Sequence, residues 1–334
     1  MKVATAQAGA NIAFIKYWGN LDSALRLPLT NSLSMTLDAA TTITTVEFDP
    51  ALEADRLILN GEDVAGPRLK RVSDHLDHLR TLKGVFWHAR VVSHNTFPAG
   101  VGIASSASAF AALTVAAATA LNLDLNPRQL SIYARLGSGS ATRSIFGGFV
   151  EWVAAGRHED SYAYQVASET HWSLVDAIAI ISAEHKAVGS TEGHARASTS
   201  PLNSGRLAHV HAALAQARSA ILARDIETLG RVMELDALTM HAVMMTSQPS
   251  LLYWDPGTLA VMHAVRAWRR RGIPAYFTID AGPNVHVITL PEYAGEVQRR
   301  LRSLSQVKDV MLCRTGGGAR VLEGKYHEEH EEKP

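Results

Sequence analysis

The most constraining stretch of this chain is Pro98 to Thr114, PAGVGIASSASAFAALT. It follows a segment in which Val85, Trp87, Ala89 and Val91 alternate with Phe86, His88 and Arg90, the period of a half-buried strand. After a glycine-containing turn come Ser105 and Ser106. An alanine-rich run almost without breakers then predicts a helix over 103–119. Gly100 and Gly102 give the turn backbone freedom, and Ser105 and Ser106 set hydroxyls beside amides that a helix start leaves unpaired. Strand, glycine turn and helix N-terminus in this order make a phosphate cradle. A tightly packed internal helix entered through the same turn explains these residues equally well on their own. No Gly-Lys-Ser/Thr closes the motif, so it is not a Walker loop.

At 334 residues the chain suffices for two domains sharing a cleft, or for one large domain. Lys plus Arg and Asp plus Glu both number 32, which leaves no basic field for nucleic acid. A small anion needs only a few focused charges and stays open. Cys313 is the single cysteine; it excludes an intrachain disulfide framework and a thiolate zinc cluster, and reads as a small buried hydrophobe in a cytoplasmic protein. The start, MKVATAQAGANIAFIKYWG, lacks a signal-peptide pattern, and no apolar run reaches transmembrane length. Neither secretion nor membrane insertion is expected.

In chain order, residues 2–8 predict a short strand, and 11–19 a strand or a helical turn carrying Lys16 beside Tyr17 and Trp18. A lysine there either snorkels to the surface or holds a phosphate over a partly dry pocket. Residues 41–48 favour a sheet, and a hairpin within 49–67 is expected to turn at Gly61-Glu62-Asp63. Over 67–82, Leu69, Val72, Leu76 and Leu79 share a helical face. The histidines and arginines of that helix are expected in solvent, with Arg68 and Arg71 within reach of a ligand. Asn126 before Pro127 predicts a capped helix. Gly137 to Ser144, GSGSATRS, then gathers hydroxyls, exposed amides and one guanidinium.

Farther on, an apolar strand is expected at 173–183, and a long helical stretch at 201–247 with a break near Gly230. A helix over 257–270 ends in Arg269, Arg270 and Arg271, and two β segments flank Asp280-Ala-Gly-Pro-Asn284. The closing HEEHEEKP reads as a frayed tail. The whole is an α+β chain, divided as 1–180, 181–325 and a polar tail at 326–334.

Five segments in order, ANIAFIKYWG, NSLSMTL, FPAGVGIASSASAFAAL, GSGSATRSIFGG and FTIDAGPNVHV, resemble the mevalonate diphosphate decarboxylases and their monophosphate-acting relatives. That family lies within the galactokinase, homoserine kinase, mevalonate kinase and phosphomevalonate kinase superfamily. The resemblance covers almost the whole chain. It implies a two-domain small-molecule kinase-like fold with a ribosomal-protein-S5-like N-terminal domain, an α/β C-terminal domain, and ATP and Mg2+ in the cleft. Nucleotide contacts are implied for Asn95, Gly100, Gly102, Ser105, Ser106, Gly189, Ser190 and Thr191, with magnesium at Ser105 and Ser106. Ser138, Gly139 and Ser140 would hold the substrate's 5-phosphate together with Tyr17, and Trp18 would support the pocket wall. Arg143 would grip the substrate carboxylate.

The same resemblance sets Lys16 near the reacting 3-hydroxyl and assigns Asp280 as general base or orienting carboxylate. By residue chemistry alone, an Asp before Ala-Gly-Pro-Asn is a turn cap. The implied reaction is phosphorylation at O3, departure of phosphate, and loss of carbon dioxide to leave a terminal alkene.

One position departs from the family pattern. Diphosphate-acting relatives commonly read KYWGK, and this chain reads KYWGN. Asn20 can donate a hydrogen bond but cannot balance a further negative charge. The expected substrate is therefore (R)-5-phosphomevalonate, giving isopentenyl phosphate. The diphosphate is the alternative, should Arg196 or another basic residue compensate in space. A kinase stopping at 3-phosphorylation is disfavoured because Asp280 and Arg143 both match decarboxylases. A non-catalytic nucleotide-binding regulator is disfavoured because both sets of groups are intact. A homodimer is the default assembly.

Overall fold

The computed structural model describes residues 2–97, 105–182 and 188–323. Strand β1 (Lys2–Ile15) leads through a small ribbon, β2 (Asn20–Asp22) and β3 (Leu27–Pro28), into the long β4 (Ser32–Asp49). β1 and β4 pair antiparallel from Lys2 opposite Phe48 to Ile15 opposite Leu33. β1 is longer than the expected 2–8 because its second half, AGANIAFI, is buried throughout, and a strand covered on both faces shows no alternation. A hairpin, β5 (Arg56–Leu59) and β6 (Glu62–Val64), follows. It turns at Asn60 and Gly61, with φ of 53° and 86°, rather than at Gly61-Glu62-Asp63. Two successive left-handed residues match the strand twist, which frees Glu62 and Asp63 to pair.

Helix α1 (Pro67–Lys83) buries Leu76 and Leu79 as its periodicity predicts, but it also buries His75 and Arg80. Its polar face is therefore not all in solvent. His75 shares a 2.8 Å hydrogen bond with Thr114, and burial pulls it down to about 3, so the ring is neutral. Arg80 pairs with the carboxylate of Asp55. β7 (His88–Asn95) enters the sheet next, followed by α2 (Ser105–Ala120), whose alanines pack closely on β1 and β4. α3 (Pro127–Gly137) starts in the expected way, with Asn126 and Gln129 forming a reciprocal cap. α4 (Ala141–Ser144), β8 (Phe149–Trp152) and β9 (Ala163–Ala167) complete this half. With β14 (Arg320–Leu322), the described strand order is β14-β1-β4-β7-β5-β6, and β8 pairs with β4 while β9 pairs with β8.

The second sheet, ordered β11-β12-β10-β13, is built from β10 (Val175–Ile180), β11 (Ala275–Thr278), β12 (Val285–Thr289) and β13 (Asp309–Arg314). Helices α5 (Ser190–Arg196), α6 (Asn203–Ala223), α7 (Ile226–Thr246), α8 (Pro256–Arg269) and α9 (Ala294–Arg302) accompany it. β10, inside the expected range 1–180, pairs with β12 and β13 of this sheet. The chain then returns to the first sheet as β14 (Arg320–Leu322), paired with β1, inside the range expected for the second domain. Among the described residues, no helix is long and apolar enough to cross a membrane.

The break expected near Gly230 lies at Arg224, which ends α6 in the left-handed conformation at φ 57°. Asp225 then caps α7 by accepting from the amides of Glu227 and Thr228. Gly230 sits inside α7 because a Cβ there would lie 2.0 Å from Cγ of Tyr276. Alanine in place of a helical glycine gains about 0.5–1 kcal/mol of propensity. The clash with a ring held in a strand costs about 1–3 kcal/mol and wins. Gly230→Ala is therefore expected to lower the urea midpoint of unfolding; an unchanged or higher midpoint would refute the packing argument.

Candidate active site

Lys16 follows the last residue of β1, where the chain leaves the sheet. Its backbone is held by two helices: the N–H donates to Asp236 Oδ2 on α7 at 2.7 Å, and the carbonyl accepts from Arg206 Nη2 on α6 at 2.8 Å. Burial drives the Asp236 carboxyl upward, against the opposing pull of Arg206 and the Lys16 amide. Held in this way, the Lys16 side chain is 2% exposed and does not snorkel. Its Nζ lies 2.6 Å from Oδ1 of Asp280, which stands between β11 and β12.

Arg143 rises from α4 into the same space. It donates to Ser32 Oγ at 2.6 Å, to Ser34 Oγ at 3.0 Å, and to Asn11 Oδ1 at 3.1 and 3.3 Å. These partners are neutral, and burial pulls the guanidinium down to about 10. A desolvated cation with neutral partners is prepared for an anion from outside. Asn11 in turn donates to the Ser140 carbonyl and to Ser144 Oγ, which ties β1 to α4.

Three hydroxyls line up beside it. Ser106, in the first turn of α2, lies 3.0 Å from Ser138, which lies 3.4 Å from Ser140. The residues expected on the nucleotide side and on the substrate side are thus contiguous. Gly139 is compelled by Tyr17, because a Cβ at 139 would meet Cε1 of that ring at 2.6 Å. Tyr17 donates to Asn20 Oδ1 at 2.5 Å, and burial raises its hydroxyl to about 12. Trp18 is buried against Met240, Val243, Met244 and Leu251, forming a wall. His194 stacks on both Tyr17 and Trp18, and its Nδ1 accepts from the Gly19 amide at 2.9 Å. Burial lowers His194 to about 3, so it is a neutral acceptor.

These groups face one cleft of about 150 Å³, whose lining includes four cations, Lys16, Arg26, Arg71 and Arg143, and one carboxylate, Asp280. Clefts lined by one sign of charge focus the field, so a chain of zero net charge still presents an anion site. A second pocket of about 300 Å³ adjoins it, sharing Arg71 and Ser106. Its walls are mostly apolar, from Leu57, Leu59, Val72, Val91, Phe110 and Leu113, with Asn95 and Ser105 at its polar edge.

Of the expected residues, Lys16, Tyr17, Trp18, Ser106, Ser138, Gly139, Ser140, Arg143 and Asp280 converge on the polar cleft. Ser190 and Thr191 line that cleft too, rather than the apolar pocket, and Gly189 stands exposed before α5. Gly100 and Gly102 lie outside the described residues. Asn11, Arg26 and His194 are cleft residues that the sequence reading did not single out. Asn11, a buried amide within an apolar strand, was the one detectable signal.

Residues 8–163 match the diphosphomevalonate decarboxylase-like N-terminal domain family, and residues 177–333 the mevalonate 5-diphosphate decarboxylase C-terminal domain family. The chain is 34% identical to the phosphomevalonate decarboxylase of Haloferax volcanii, over 96% of this chain and 98% of that one. It is 37% identical to the diphosphomevalonate decarboxylase of Ganoderma lucidum, over 88% and 80% respectively. The crystal structure of mevalonate diphosphate decarboxylase from Staphylococcus aureus aligns with a TM-score of 0.92 at 38% identity, covering 96% of this chain and 98% of that one. A further solved relative, in complex with MVAPP, AMPPCP and magnesium, aligns with a TM-score of 0.91 at 38% identity, covering 96% and 99%.

These matches overturn the monophosphate expectation drawn from Asn20. The family description and most of these relatives name the diphosphate, and the Haloferax enzyme alone among the four names the monophosphate. The physical reason is that a single motif position does not set the charge of a cleft. Asn20 is engaged with Tyr17, while Arg26 and Arg71 bring cations to the same cleft from other segments. Arg196, the compensating residue considered from sequence, is instead paired with Glu192. From its ordered motifs, its two domain matches and its fold, the chain belongs to the diphosphomevalonate decarboxylase-like family.

Proposed function

We propose that this enzyme is the ATP- and Mg2+-dependent decarboxylase of (R)-5-diphosphomevalonate, forming isopentenyl diphosphate, ADP, phosphate and carbon dioxide. The observation that carries the reading is the Lys16–Asp280 pair, 2.6 Å apart, facing a cleft with four cations.

The residues present fit the nucleotide. The apolar pocket suits a base, and its shared edge at Ser106 and Arg71 leads a polyphosphate toward Asp280. Among the described residues no group of three or more His, Cys, Asp or Glu is placed to hold a metal ion. Magnesium would rest mainly on phosphate oxygens and water, the usual habit of this ion, with the Ser105 and Ser106 hydroxyls as its proposed contacts from the chain. When bound, the nucleotide supplies the phosphoryl group that turns the 3-hydroxyl into a leaving group.

The chain's own groups do the positioning. Ser138, Gly139 and Ser140 hold the 5-diphosphate, and Arg143 takes the substrate carboxylate through parallel hydrogen bonds. Asp280 receives or orients the proton of the 3-hydroxyl. Lys16 stabilises charge that develops at the same oxygen, from a position its backbone clamp makes rigid. Asn95, Gly100, Gly102, Gly189, Ser190 and Thr191 stand as proposed nucleotide contacts. Tyr17 and Trp18 close the substrate wall, and exclusion of water protects the electron-poor carbon during loss of carbon dioxide. An S5-like identity for the N-terminal domain, a cytoplasmic location and a C2 dimer belong to the same proposal.

The test is a side-by-side assay. With ATP and Mg2+, kcat/KM for (R)-5-diphosphomevalonate is expected to exceed that for the monophosphate, with alkene and carbon dioxide formed in equal amounts. A preference for the monophosphate, or a stable 3-phosphorylated acid as sole product, would refute the reading.

A further inference from the structure

Arg26 stands at the tip of the β2–β3 ribbon in a conformation that side chains seldom adopt, with φ of 50°. Such a residue costs on the order of 1–2 kcal/mol and persists only where its surroundings hold it. Here the surroundings are evident. Arg135 Nε donates to the Leu25 carbonyl at 3.1 Å, the Leu25 amide donates to Asp22 at 2.8 Å, and Arg26 Nε donates to the Leu136 carbonyl at 2.8 Å. The ribbon is thus fixed so that the Arg26 side chain lines the cleft.

Leu136 and Gly137 are the last residues of α3, whose final carbonyls have no partner within the helix and carry its negative end. Arg71 uses the neighbouring one, donating to the Gly137 carbonyl from Nε at 3.2 Å and Nη2 at 2.8 Å. Two guanidiniums are therefore anchored on consecutive carbonyls. Burial lowers both, and Arg26 lowers Arg71 further by repulsion. Neither makes an ion pair with a described carboxylate, and the two Nη groups of Arg26 make no hydrogen bond with any described residue. Asn20, at the start of the ribbon, is committed to Tyr17.

We propose that Arg26 is a specificity-determining residue that binds the terminal phosphate of the substrate's diphosphate. The inference rests on the diphosphate reading above. Its Nη donors have no hydrogen-bond partner among the described residues, its side chain lines the cleft, and repulsion from Arg71 is relieved when a polyanion lies between the two. A terminal phosphate carries about two negative charges near neutral pH and offers several acceptor oxygens. The planar donor fork of arginine matches them, and a point charge does so less well.

The experiment compares wild type, Arg26→Leu and Arg26→Lys with both (R)-5-diphosphomevalonate and (R)-5-phosphomevalonate. Calorimetric titration of each protein with inorganic pyrophosphate and with orthophosphate runs alongside. Arg26→Leu is expected to raise KM for the diphosphate about 10–100-fold, the usual effect of losing a hydrogen bond to a charged group, with kcat within about twofold. The monophosphate KM is expected to move less than about threefold, and Arg26→Lys to fall between wild type and Arg26→Leu. Pyrophosphate affinity should weaken with the diphosphate KM while orthophosphate affinity holds.

An equal loss for both substrates, or wild-type KM in Arg26→Leu, would overturn the assignment. If wild type turned over neither substrate, the functional reading would fail by itself, and the pyrophosphate titration would still decide for or against Arg26.

Discussion

Asp280→Asn is expected to reduce single-turnover formation of both the 3-phosphorylated acid and the alkene by about 10²–10⁴-fold, roughly 3–5 kcal/mol in transition-state stabilisation. Asparagine has nearly the same size and keeps an oxygen that can accept from Lys16 Nζ, now 2.6 Å from the carboxylate. It cannot take up a proton or attract one as an anion does. Folding and nucleotide affinity should largely survive. Asp280 is partly exposed, at 27%, but Lys16 is 2% exposed, so the variant leaves a buried ammonium beside a neutral oxygen and the melt is expected to shift downward while staying cooperative. The measurement is rapid-quench kinetics beside a thermal melt and a nucleotide titration. Parallel loss of both products with a cooperative melt supports the role before phosphoryl transfer. Accumulation of the 3-phosphorylated acid would move Asp280 to the later step, and loss of the melt would favour the turn cap.

Arg143→Gln is the second large effect expected. In the protein alone this guanidinium is fully buried and held only by Asn11, Ser32 and Ser34 among its hydrogen-bond partners. Burial lowers it to about 10, so its charge opposes folding until an anion arrives. Glutamine keeps a donor for the serine hydroxyls and removes the charge. Removing a desolvated charge removes its burial penalty, which offsets the hydrogen bonds lost to Asn11, Ser32 and Ser34. The melting temperature should therefore hold or rise. Losing a buried charged pair with the substrate carboxylate costs about 2–5 kcal/mol, or roughly 30- to several-thousand-fold in kcat/KM. Activity falling while stability holds is a pattern that a merely structural arginine does not produce. A sharp fall in melting temperature would show that Arg143 serves the fold instead.

Local residue chemistry carried much of this protein. The Asn126-Pro127 helix start, the apolar face of α1, the strand before Pro98 and the buried Cys313 were all legible, because each depends on neighbours within a few positions. Asp280, Lys16 and Arg143 could be named from motifs, though 264 positions separate Lys16 from Asp280 and only the fold brings them to one hydrogen bond. Three things depended on the tertiary structure. The end of α6 is set by a left-handed Arg224, while Gly230 answers to a tyrosine on another element. The backbone of Lys16 is clamped by Asp236 and Arg206, which no motif near Lys16 announces. The charge of the cleft is a sum over segments that meet only in space. A sequence shows Asn20 where a cation is expected; the folded chain places Arg26 and Arg71 on the last carbonyls of α3. Electrostatic potential adds over distance rather than along the chain, so the substrate's charge was the property least readable from a single position.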